Sequence, residues 1–547
     1  MFSQPRLAML RRDVSNGRFS PRLRLERALV RFRDEESGVF VIWALFMVVA
    51  ILLATGTGIS IQLHEVHRAR LQNVLDTAVL AATDLDQSRD SEEVIADYLE
   101  RAGLLGSLGR SRVINGVNYR TTYVAAEVTM PTFFMPGPDE WPIVARSEAT
   151  ENYNDIEIAV ALDNSGSMGW NDDFRLNLLK PAAQNFIDTV TKVSDDGIPG
   201  ATLVSIVPFS TQVNAGPVLG GEMTWSGEHN YSQCARFESD DFSSTQLDPD
   251  VEIEQAAHFD IFTWDSPVDT EGVVCPFDAS RHITPWSQKP DELKAQVEDM
   301  WAGGNTSIDV ATKWAAALID PSMSSALTNL QGDGVVEGNV SGQPFSYTRE
   351  NTVKILVIMS DGQNTDEYRL KDDYRDGDSP LYVDAETVVN EEGEEVLTGN
   401  VRWSYRYTST SYYWYRTETW EETPDTFEDG TASRMQWPQV LDEMSVAHFA
   451  RYYKSEALGG SWRDYYNEMY TWVSSSTKNS RLSNVCQAAR DNEVVVYTIG
   501  MDTYGEGDAV LLDCAGTAAN FYDIEALEIA EAFSSIARQI SQLRLTQ

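Results

Sequence analysis

Apolar residues along this chain follow three successive patterns. From Gly38 to Ile61 (GVFVIWALFMVVAILLATGTGISI) the sequence runs without a single charge. A helix of that length measures about 36 Å, enough to cross a hydrocarbon core of about 30 Å with some tilt. Leu63 to Leu85 keeps helical apolar spacing and reads as a continuation of the same helix; a second helix is expected at Ser91–Leu105. Alternating, β-branched segments at Ser111–Thr129 and Ile143–Thr150 follow, joined by the Pro/Gly connection MPTFFMPGPDEWP. Residues 63–150 therefore read as a small α+β stalk.

At Ile156 the pattern changes. IEIAVALD, ATLVSIVPF (201–209), VKILVIMSD (353–361) and EVVVYTIG (493–500) are largely continuous apolar runs, the mark of strands buried on both faces. Helices are expected between them at Arg175–Val193, Asp291–Trp301, Ile308–Ile319 and Ser480–Asn492. The last helix, Glu525–Arg544, carries Ile529, Phe533, Ile536, Ile540 and Leu543 at steps of four and three, one buried stripe. Strands alternating with helices predict a doubly wound α/β domain over 151–547, with its ligand site at the carboxyl ends of the strands. Two long insertions interrupt it, at 214–290 and 365–440. The second is acidic and aromatic, and WSYRYTSTSYYWYRTETW (403–420) alternates as a β-hairpin would. Its aromatic cluster reads as a small satellite core, or alternatively as a partner-binding surface.

Charge adds a direction. Lys and Arg number 42 against 84 Asp and Glu, a net −42 that repels nucleic acid and leaves no nucleic-acid partner expected. Yet residues 1–37 carry nine arginines and five acids, a basic tail immediately before the apolar run. Basic flanks stay cytoplasmic, so residues beyond 62 are expected on the far side of a membrane. The span 38–62 is read as an uncleaved transmembrane helix, with cleavage near Thr55–Gly58 as the other reading. Cys234, Cys275, Cys486 and Cys514 include no C-x-x-C pair, which argues against zinc. Pairing Cys234 with Cys275 and Cys486 with Cys514 is favoured, because each pair is close in sequence; four buried thiols are the alternative.

The candidate chemistry lies where strands end. Asp163-Asn164-Ser165-Gly166-Ser167 follows the first α/β strand directly and precedes a helix. Gly303-Gly304-Asn305-Thr306 opens the helix at Ile308, and Ser360-Asp361-Gly362 ends VKILVIM. A D-x-S-x-S pattern alone is weak, but three such loops supply two carboxylates and three hydroxyls. Hard divalent cations take six or more oxygen ligands, so Asp163, Ser165, Ser167, Thr306 and Asp361 suit Mg²⁺ first, and Ca²⁺ or Mn²⁺ also. At least one coordination position would stay open for a carboxylate from another molecule. Helix capping is the bland reading of the same residue types.

DNSGS (163–167), the Thr of GGNT (306) and the Asp of MSDG (361) resemble the metal-ion-dependent adhesion site (MIDAS) of von Willebrand factor A (vWA) domains. The resemblance implies Ser165, Ser167 and Thr306 near the metal, with Asp163 and Asp361 bonding directly or through water. Three further segments, 35–82, 275–321 and 511–546, resemble TadG-like Flp pilus-assembly proteins. That likeness implies a bacterial inner-membrane anchor, a periplasmic vWA domain, and a role in pilus assembly or adhesion with other pilus-assembly components. The 365–440 insertion departs from it.

No enzyme is expected: the six histidines are scattered, and no G-x-x-x-x-G-K-[ST] loop or H-E-x-x-H is present. The alternatives are a vWA accessory subunit of an ATPase-type complex and a pilin-like subunit. Against the second, Trp43 stands where a pilin-type processing site after Gly38 would need Glu.

Overall fold

The computed structural model describes Val30, Arg33 and residues 38–546, apart from 85–88, 116–118, 134–136, 196–201, 265–271, 338–341, 390–394, 429 and 504. The basic tail expected over 1–37 thus lies almost wholly outside the described residues. The chain divides into two compact units, one built mainly from residues up to 149 and the other mainly from 150–547.

In the first unit, a single helix α1 runs Val39–Thr83, 45 residues without a break. It is long and apolar enough to cross a membrane, and only 6% of its most apolar window is buried. The expected continuation past residue 62 is therefore one helix with the apolar run. Its far end is different: Leu71, Leu75, Val79 and Ala82 are buried with Val94, Ile95 and Leu99 of α2 (Ser91–Arg101). α2 stops four residues short of the expected Leu105. Gly103 takes φ +72°, and the amides of Gly103 and Leu104 fold back to the carbonyls of Glu100 and Leu99. Strands β1 (Leu108–Asn115), β2 (Tyr119–Pro131) and β3 (Glu140–Tyr153) lie in that order in one sheet, with Val124, Ala126, Met130, Ile143 and Ala145 in the same core.

The second unit is α/β. Its sheet uses β4 (Asp155–Asp163), β5 (Thr202–Phe209), β6 (Thr284–Ser287), β7 (Thr352–Ser360), β8 (Val495–Met501) and β9 (Phe521–Ile524). Across the sheet they run β9-β8-β7-β4-β5-β6. All neighbours are parallel except β6, which is antiparallel to β5. The chain moves outward from β4 through β5 and β6, then crosses back to β7 on the other side. The order thus reverses between β4 and β7, and a crevice opens there at the carboxyl ends.

Burial explains the continuous apolar runs. Every residue of β4 and of β5 is buried, because helices cover both faces. One face packs against α5 (Ile308–Leu318), α6 (Ser475–Asp491) and α7 (Glu506–Ala515), through Ala311, Trp314, Ala315, Leu482, Val485 and Leu511. The other packs against α3 (Trp170–Asp195), α4 (Pro290–Asp299) and α8 (Ile529–Arg544). From α8 it receives Ile529, Phe533, Ile536 and Ile540, the expected stripe; the side chain of Leu543 lies outside the described residues. Each such fully buried Ile or Phe contributes about 1.5–3 kcal/mol.

Both expected disulfides form, Cys234–Cys275 and Cys486–Cys514. The first excursion from the sheet carries isolated bridges such as Asn214↔Cys234 and Trp225↔Ile253 and packs Leu219, Phe237, Phe242 and Ile253 into the main core. The second builds a five-stranded antiparallel sheet containing 378–389, 395–408, 411–414, 419–421 and 433–436. The expected hairpin is present, with Ser404 opposite Trp414 and Tyr405 opposite Tyr413. Its aromatic residues do form a satellite core, with Leu381, Tyr405, Tyr413, Trp437, Leu441 and Phe449 buried. At its base, Glu367–Leu370 pairs with Tyr470–Val473, and the chain regains the sheet only at β8.

Candidate metal centre

Three loops meet at the β4/β7 crevice. Asp163 is the last residue of β4, and its carboxylate bends its own loop: Oδ1 accepts the Ser165 amide at 2.8 Å. Oδ2 accepts the Ser360 hydroxyl at 2.6 Å, which joins the ends of β4 and β7. The Ser165 and Ser167 hydroxyls lie 3.1 Å apart, and Ser167 Oγ donates to Asp361 Oδ1 at 2.7 Å. Side chains 194 positions apart in sequence thus touch because parallel neighbours end on the same edge.

Thr306 joins this group through backbone. Gly166 N–H donates to Gly304 O at 2.9 Å, and Gly303 N–H donates to Asn164 O at 2.9 Å. Gly304 has φ +81°, and a Cβ there would stand 2.6 Å from Thr211 Oγ1, so this turn requires glycine. Ser307, next to Thr306, is committed elsewhere, its hydroxyl donating to Thr211 O at 2.7 Å. The first turn of α5 is capped from the Asp361 loop, where Asn364 Oδ1 accepts the Ile308 amide at 2.8 Å.

The structure therefore brings Ser165, Ser167 and Asp361 into a direct chain of hydrogen bonds. It sets Asp163 beneath them and places Thr306 on the adjoining turn. Burial raises the Asp163 carboxyl to about 7, the negative charge of Asp361 adds to this, and bonds from Ser165 and Ser360 oppose it. Asp361 is likewise raised by burial, against the pull of Ser167 and Arg175. Two carboxylates with excess negative charge beside two or three hydroxyls make a donor set that fits a hard divalent cation. Among the described residues, no group of three or more His, Cys, Asp or Glu is placed to hold a metal. The candidate centre draws on hydroxyls instead.

Four cations and polar groups around the centre escaped the sequence reading. Arg175, on α3, donates Nη1 to Asp361 Oδ2 at 2.7 Å and Nε to Asp502 Oδ2 at 3.1 Å. Arg281 is buried and stacks 3.6 Å above Trp301. From there it donates to the carbonyls of Asn164, Trp301 and Gly303 at 3.0–3.3 Å, tying two of the loops together. Thr365 and Lys478 grip the Thr306 backbone. An arginine or lysine that serves a carbonyl has no spacing signature, so nothing in the sequence marks these residues. The three residues after Trp170, which precede the expected helix at Arg175–Val193, were not marked by the sequence either: Asn171, Asp172 and Asp173 have φ of 57°, 60° and 59°, left-handed backbone beside the centre.

Residues 38–84 match the model of the Flp pilus-assembly TadE/G-like family, Tad. No curated protein matches the chain. Among solved structures, the vWF domain of the type V pili tip protein Mfa5 from Porphyromonas gingivalis is 14% identical, with 72% of this chain and 98% of that one covered at a TM-score of 0.31. The pilus adhesin RrgA from Streptococcus pneumoniae is 11% identical, with 78% and 48% covered at 0.29. The pilus adhesin SpaC from Lactobacillus rhamnosus GG is 10% identical, with 80% and 34% covered at 0.27. The chain thus spans about a third to a half of these two adhesins. The family model describes the membrane-proximal helix alone, and the α/β assignment of the rest stands on its own strand order and register.

Proposed function

We propose that this chain is a membrane-anchored, extracytoplasmic vWA module that binds a protein ligand through a divalent cation, in Flp/Tad pilus assembly or surface adhesion. The observation that carries the reading is the meeting of Asp163, Ser165, Ser167 and Asp361 at the one point where the strand order reverses, with Thr306 on the neighbouring turn. Mg²⁺ suits this set best, with Ca²⁺ and Mn²⁺ as its competitors. An acidic side chain of the partner would complete the coordination, and the module would act by binding, without catalysis. The TadE/G-like match at 38–84 supports the pilus setting, and the apolar length of α1 supports a single-pass anchor. The basic tail supports an amino terminus in the cytoplasm and a second unit in the periplasm, and a reporter fused after α1 reads that orientation.

Calorimetry of the full chain in detergent micelles tests the centre. Mg²⁺ or Mn²⁺ is expected to give a saturable heat that Asp163→Ala abolishes. Equal heats from the two proteins would refute the cation reading.

A further inference from the structure

The antiparallel ribbon at the base of the second excursion pairs Glu367 with Val473 and Leu370 with Tyr470. Just outside both its ends, the chain grips one residue of the candidate centre. On the amino side, Thr365 Oγ1 accepts the Thr306 amide at 2.9 Å, and the Thr365 amide donates to Thr306 O at 3.0 Å. On the carboxyl side, Lys478 donates Nζ to the same carbonyl at 3.1 Å and also to Ser307 Oγ. A third tie passes through the ribbon itself. Glu367 Oε1 accepts Gln212 Nε2 at 3.1 Å, and the preceding Thr211 holds the Asn305 amide at 2.8 Å.

Lys478 is an expensive residue for a packing role alone. Its side chain is fully buried, and burying an ammonium is costly unless its protons are used. Its carboxylate neighbour Asp309, also fully buried, stands 3.6 Å away. The protons are spent on the Thr306 carbonyl and the Ser307 hydroxyl, two bonds that an apolar side chain of similar length would remove from the turn.

We infer that Lys478 is a positioning residue for Thr306, and that through it the aromatic excursion and the cation centre form one coupled unit. This rests on the cation reading above. Binding at the centre stiffens the ribbon, and by reciprocity a partner that moves the ribbon changes cation affinity.

The test uses the full chain in micelles with Mn²⁺ as the probe, followed by calorimetry and amide hydrogen exchange. In the wild type, Mn²⁺ is expected to slow exchange in 365–371 and 470–478. Lys478→Met is expected to raise the Mn²⁺ Kd about tenfold or more, and Ser307→Ala, which keeps the bond to Thr306 O, to raise it about two- to threefold. A Lys478→Met protein that melts cooperatively and binds Mn²⁺ like the wild type overturns the inference while leaving the centre standing. So does wild-type binding that leaves ribbon exchange unchanged, the deciding measurement if Lys478→Met does not fold. A wild type that binds no Mn²⁺ takes down the centre and the inference together.

Discussion

The two excursions from the α/β sheet solve the same problem by different means. The first, leaving after β5 and returning at β6, has little regular structure, and a disulfide between Cys234 and Cys275 closes its loop over a separation of 41 residues. The second has no disulfide among its described residues and builds a five-stranded sheet over an aromatic core. The first buries Leu219, Phe237, Phe242 and Ile253 against the main core, and its disulfide adds a covalent tie that restricts the unfolded chain. The second relies on packing alone, and its aromatic core also takes in Phe259, Ile261 and Val274 of the first. Both deliver a buried cation to the crevice: Arg281 arrives from the first, and Lys478 stands just beyond the second.

That contrast can be broken in three places. Replacing both Cys234 and Cys275 with Ser is expected to cost about 4 kcal/mol by loop-closure entropy, read as a fall in the denaturation midpoint. A loss well below about 2 kcal/mol would mean that the first excursion is held by its polar contacts after all. Leu441→Ala, in the fully buried core of the second excursion, is expected to cost about 3 kcal/mol. It should leave Mn²⁺ heats unchanged if the ribbon keeps its register, and denaturant and calorimetric titrations of one preparation check both.

The smallest effect is set by pH. His258, in the first excursion, is buried and lowered to about 4 by desolvation, with the charge of His229 adding to it. Ser232 lies on its Nδ1 and Asp442 is 3.3 Å from Nε2. Its folded value lies below the ordinary 6.5, so between 6.5 and 4 the unfolded chain binds the extra proton. Its contribution is therefore whole above pH 6.5, falls through that window, and amounts to about 2 kcal/mol lost at pH 5. Melting curves at pH 7 and pH 5 should show this loss, and His258→Gln should flatten the difference.

The central strands were legible because burial on both faces leaves mostly apolar residues in β4, β5, β7 and β8. β6 (TPWS) and β9 (FYDI) were not, since four residues at a sheet edge carry no period. At the centre, Asp163, Ser165, Ser167 and Asp361 could be read because each sits at a fixed offset from a strand end. Arg175, Arg281, Thr365 and Lys478 could not, because they act through contacts that exist only once the sheet has brought distant loops together. The reach of the second excursion to Val473 was hidden for the same reason. Glu367–Leu370 becomes a strand only by finding Tyr470–Val473.

α1 has a mechanical consequence. Its 45 residues extend about 67 Å as a helix, and a hydrocarbon core takes up about 30 Å of that. The remainder is a stiff mast whose upper part, from Leu71 to Ala82, is built into the stalk core. If the anchoring proposed above holds, a sideways load on this unit would be answered less by bending at a hinge than by leaning the whole rod within the lipid.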